Sequence, residues 1–133
     1  MTRIAIRIVS IVVLAALSAC SRTLHLPVPA GAPVRLVTFT FKSTSEAVAE
    51  RKEVLLQPDA AEYRRLQEWV AHNQSGWSQS FATPFGGIVV NCGDLHLQFI
   101  QTMVVAFTAK GEFQKDIREE DYAFLTTYEK NAD

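Results

Sequence analysis

The stretch LHLQFIQTMVVAF, residues 95–107, decides the fold. Leu95, Leu97, Phe99, Met103, Val105 and Phe107 occupy its odd positions, and an apolar residue at every second place marks a strand with one buried face. Thirteen residues are long for one strand. The run is therefore read as two strands joined by a tight turn near Gln101 and Thr102. Upstream, Ile88 to Cys92 is a short β run, and Asn91 to Asp94 (NCGD) reads as a turn. Downstream, Lys110–Gly111 reads as another turn.

Toward the amino terminus, VRLVTFTF (residues 34–41) sets Val37, Phe39 and Phe41 against Thr38 and Thr40, again with a period of two. Residues 42–52 are polar and read as a long hairpin loop or a short helix. Glu53 to Gln57 is a short strand stopped by Pro58. Asp59 to Asn73 is the strongest helical pattern: Asp59 and Glu62 have capping-box spacing, and Tyr63, Leu66 and Val70 form one apolar stripe. At the other end, Asp116 with Glu119 is expected to cap a final amphipathic helix carrying Tyr122, Phe124 and Leu125. The order β-β-α-β-β-β-α predicts an α+β fold, a small antiparallel sheet of about five strands with two helices packed on one face.

The first twenty residues follow different rules. Arg3 and Arg7 precede IVSIVVLAAL, residues 8–17, a run far shorter than the roughly 20 residues a helix needs to span a bilayer. A charged start, a short apolar core and small residues after it describe a secretory signal peptide. Leu17-Ser18-Ala19-Cys20 resembles the lipobox of bacterial lipoproteins. That resemblance implies a diacylglycerol thioether on Cys20, cleavage between Ala19 and Cys20, and acylation of the new amino terminus. Ser21, where an Asp would imply inner-membrane retention, implies the periplasmic face of the outer membrane. Three regions are expected: the signal peptide at 1–19, the lipidated Cys20 with a flexible tether to residue 33, and a single domain over 34–133. Pro27, Pro29 and Pro33 stiffen the tether, and His25 within it is expected to be solvated.

Cleavage leaves 114 of the 133 residues, with 11 basic against 14 acidic side chains. A net negative domain outside the cytoplasm excludes nucleic acid as a partner. Cys92 is the only cysteine besides Cys20, so the domain has no internal disulfide and stands on its core. Cys92, Asp94 and His96 would share a face of one unbroken strand, but Gly93 marks a turn between them. Cys92 is instead expected as a small apolar residue. His72, His96 and Cys92 lack metal-ligand spacing, and neither a phosphate loop nor a Gly-x-Ser-x-Gly elbow is present. The chain is accordingly expected to hold no metal or cofactor and to be no enzyme.

Two features point to binding. Residues 73–87 place Trp77, Phe81 and Phe85 among small and polar residues. Phe81 is expected to turn inward, while Trp77 and Phe85 are either core or exposed partner anchors. Charge is also polarised: residues 112–133 carry seven acids and three bases, residues 21–52 five bases and two acids. Glu119, Glu120 and Asp121 are therefore further partner-contact candidates. These readings predict a membrane-anchored periplasmic binding protein whose partners are the membrane, through its lipid, and another protein. The first expectation is an inhibitor or immunity protein that occludes a toxin or a cell-wall-attacking enzyme. The alternative is an accessory subunit of an envelope assembly or secretion complex.

Overall fold

The computed structural model describes residues 21–41, 49–81 and 84–130. Residues 1–20, with the expected signal peptide and Cys20, and residues 42–48 lie outside them. Strands β1 (Val34–Phe41) and β2 (Ala49–Leu56) are followed by helix α1 (Ala61–His72) and the short β3 (Ser78–Gln79). Next come β4 (Ile88–Cys92), β5 (Leu95–Ile100), β6 (Met103–Thr108) and β7 (Gly111–Asp116). A 3-10 turn (Glu119–Asp121) leads into helix α2 (Ala123–Lys130).

All seven strands join one antiparallel sheet in the order β2-β1-β4-β5-β6-β7-β3. This overturns the α+β expectation of about five strands. With 42% strand against 21% helix among the described residues, the fold is mostly sheet with two short helices. The unforeseen strands are β3 and β7. Residues 111–116 (GEFQKD) carry a single large apolar side chain, Phe113, and so give no alternation to read. Yet Phe113 is core, opposite Ala106 in β6. Asp116 ends β7 instead of capping a helix.

The hairpin at Gln101 and Thr102 forms where alternation predicts it, between Ile100 and Met103. A two-residue loop reverses the parity of the second strand. Phe99 therefore stands opposite Val104 and Leu97 opposite Ala106. Val104 and Ala106, not Met103 and Phe107, join the core cluster. That core lies between the sheet and Tyr63, Leu66, Trp69 and Val70 of α1, with Tyr122, Phe124 and Leu125 from the carboxy-terminal end. Trp69 meets Phe99 edge-on at 5.0 Å, and Phe99 lies 5.0 Å from Tyr122, separations at which aromatic pairs attract beyond their buried area. Asp59 does not cap α1: Ala60 holds the cap position and supplies no side-chain bond.

Residues 21–33, expected as a free tether, instead run along α1 as part of the fold. Arg22 and Trp77 form an antiparallel bridge, and the Leu24 amide donates to the Gln74 carbonyl at 2.6 Å. The Gln74 side chain accepts from the Leu26 amide and donates to the Leu26 carbonyl. Gln67 donates to the Pro29 carbonyl, and the Tyr63 hydroxyl to that of Ala32. Leu24 and Leu26 are buried core. The prolines thus shape an extended strap whose polar backbone is satisfied by α1 and the segment after it.

Candidate functional site

The aromatic loop departs from the expectation at Phe81, resolves Trp77 as core, and keeps Phe85 as an exposed candidate. Trp77 is fully buried, its indole N–H donating to the Asn73 carbonyl at 2.7 Å. It is thus a core residue and presents no ring to a partner. Phe81, expected inside, is 88% exposed, and Phe85 is 71% exposed. The reason is non-local. Arg22 pairs with Trp77, and β3 then pairs with β7 only as far as Gln79, so the ring at 77 is enclosed while the chain at 81 has left the sheet.

Phe85 stands at a groove of about 390 Å³ lined by Phe39, Gly87, Ile88, Gln101, Glu119 and Tyr122, among others. Its backbone is fixed from below. Gln98 donates to the Gly86 carbonyl at 2.8 Å, and Gly87 takes φ +72° where a Cβ would collide with the Phe99 carbonyl oxygen. Only glycine tolerates both that sign of φ and that approach. On the far wall the Tyr122 hydroxyl donates to the Gln101 carbonyl at 2.8 Å, and the Ile117 amide donates to the Thr102 carbonyl at 2.9 Å. The β5–β6 turn is thereby tied to the carboxy-terminal helix.

Of the acidic candidates, Glu119 lines this groove. Glu120 and Asp121 turn to Arg118 instead, at 3.6 and 3.4 Å. Asp121 also accepts from the Arg118 amide at 3.0 Å. Its carboxylate therefore caps the 3-10 turn, and exposed pairs of this kind add little energy. The structure brings together Phe85 and Glu119, and leaves Trp77, Glu120 and Asp121 outside the groove.

Cys92, Asp94 and His96 do not converge. Cys92 pairs with Leu95 and Asn91 with His96 across the turn, so Cys92 and His96 project from opposite faces of the sheet. The Cys92 thiol packs against the core and burial pushes its pKa up, the reverse of an activated nucleophile. His96 instead shares a 2.7 Å hydrogen bond with Asn91. Among the described residues no group of three His, Cys, Asp or Glu could hold a metal ion. A second cavity, about 630 Å³, lies beside the strap and is lined by Leu24, His25, Leu26, His96, Phe107 and Lys110, among others.

Lys115 closes the corner where the strap meets the sheet. Its ammonium donates to Asn73 Oδ1 at 3.0 Å and to the Ser75 carbonyl at 2.8 Å, and burial lowers its pKa. The Arg22 guanidinium lies 5.7 Å from the centre of the Phe113 ring, within cation–π range. No helix among the described residues is long and apolar enough to cross a membrane. No protein-family model, curated protein or solved structure matches the chain.

Proposed function

We propose that this protein is a membrane-anchored periplasmic binder that neutralises a toxin or cell-wall-attacking enzyme by filling its active cleft. The lipobox supplies the compartment and the anchor. The observation that carries the reading is Phe85: a large ring, 71% exposed, on a backbone fixed by Gly86 and Gly87. A rigid aromatic loses little conformational freedom on docking, and such residues dominate interface energetics. Glu119 at the same groove adds a negative charge suited to a basic rim on the partner.

Affinity capture from the native bacterium, with the full-length lipoprotein and its Phe85→Ala variant side by side, tests this. One soluble partner at near-equal amounts, lost from the variant, supports the inhibitor reading. A set of envelope proteins held equally by both chains would overturn it in favour of an accessory subunit.

A further inference from the structure

β2 forms one edge of the sheet. It ladders with β1 on one side and, among the described residues, with no strand on the other. Such an edge is a template for a further strand unless short length, proline, a bulge or repelling charge blunts it. β2 is eight residues long (AERKEVLL), has no proline or glycine, and keeps an unbroken register with β1. Its charges are balanced, Glu50 and Glu53 against Arg51 and Lys52. Arg51, Glu53 and Leu55 alternate onto one face of the sheet. There Glu53 lies 3.4 Å from Arg51 and 3.7 Å from Arg35, and Leu55 is 57% exposed.

We infer that β2 pairs antiparallel with β2 of a second copy of this chain, joining the two sheets across a twofold axis centred on Lys52. The register follows from symmetry and charge. In an isologous contact residue i meets j and j meets i, and directly opposed residues share a face, so the axis must pass through a residue. Two centres keep seven residues of the strand paired: Lys52, with the ladder from Ala49 to Leu55, and Glu53, with the ladder from Glu50 to Leu56. A centre at Glu53 opposes that carboxylate to its own copy and leaves Arg51 against Leu55. A centre at Lys52 sets Arg51 opposite Glu53 of the second copy, and Glu53 opposite its Arg51. Lys52 then meets its own copy, but on each strand Glu50 stands two residues away on the same face. Opposite charges across a ladder stabilise it and like charges weaken it, so the pairing centred on Lys52 prevails. It also brings Leu55 beside the second strand.

Disulfide trapping of the full-length chain in the native bacterium tests this. A Cys92→Ala background carries Lys52→Cys or, separately, Val54→Cys; both positions are half-buried, and the background chain alone measures any contribution from Cys20. In the inferred dimer the two positions 52 oppose each other, at a separation a disulfide spans. The two positions 54 are offset by four residues, about 13 Å. Oxidation is expected to link the chain through position 52 several-fold faster than through position 54. Adding Glu53→Arg should cut that yield several-fold, and adding Arg51→Glu as well should restore it, because the swapped charges are again complementary. Equal linking at 52 and 54, no linked dimer from either, a different protein linked at 52, or a yield indifferent to Glu53→Arg overturns the inference.

Discussion

Arg22 and Trp77 exchange both of their backbone hydrogen bonds, the Arg22 amide donating at 2.7 Å and the Trp77 amide at 3.1 Å. Through this pair a proline-rich leader, which composition alone describes as linker, is bridged to the chain just before β3. The indole of Trp77, bonded to Asn73, then seals the corner between the strap, α1 and β7.

Trp77→Ala should lower stability by about 3–5 kcal/mol, the usual cost of emptying a buried aromatic site. Hydrogen exchange should show the amides of Arg22 and Leu24 losing protection together with the core. A variant melting within a few degrees of wild type would remove Trp77 from the core.

At Gly87, substitution by alanine meets two obstacles, a positive φ and the Phe99 carbonyl. Gly87→Ala should cost about 3 kcal/mol or more, in the range of backbone strain combined with a steric clash. Partner capture through Phe85 should weaken even where the protein still folds. Chemical denaturation checks the first expectation and the capture assay the second.

The Thr38 hydroxyl is buried and has no hydrogen-bond partner among the described residues. Thr38→Val preserves the side chain's shape and removes the uncompensated polar atom, so stability should rise by about 1 kcal/mol. Thermal melting of the variant, expected a few degrees above wild type, decides it.

Burial raises the Cys92 pKa, so the native state favours the neutral thiol. A group whose folded pKa lies above its unfolded one contributes stability that is complete below the ordinary thiol range. That contribution is lost as the pH rises through the folded value. The wild-type urea midpoint should accordingly fall more steeply than that of Cys92→Ala in alkaline buffer. Iodoacetamide should alkylate native Cys92 more slowly than the urea-unfolded chain at the same pH. Equal rates would remove the argument that the half-buried thiol is packed against the core.

Local pattern revealed what is locally determined. The turn at Gln101 and Thr102 and the buried stripe of Tyr63, Leu66 and Val70 follow from spacings of two and of three to four residues, and both stand in the structure. What could not be read depends on distant parts of the chain. β7 is a strand because β6 offers it a ladder, although only Phe113 among its six residues is buried. Trp77 is inside and Phe81 outside because Arg22, far along the chain, closes over one and not the other. In the groove, Phe85 was a visible candidate. Its neighbours Phe39 and Tyr122 were not, since no spacing in the sequence joins β1 to the carboxy-terminal helix. The glycines at 86 and 87 were the signal that could have marked Phe85 as the fixed residue of its loop.

β6 has a consequence for where encounters happen. Its six residues, Met103 to Thr108, separate the turn beside Phe81 from the turn beside Phe85, a distance of roughly 20 Å at the rise of a strand. β6 is laddered on both sides, by β5 and β7, so the exposed rings of Phe81 and Phe85 are held near opposite ends of a stiff spacer. A partner seated over the Phe85 groove therefore leaves the Phe81 end uncovered.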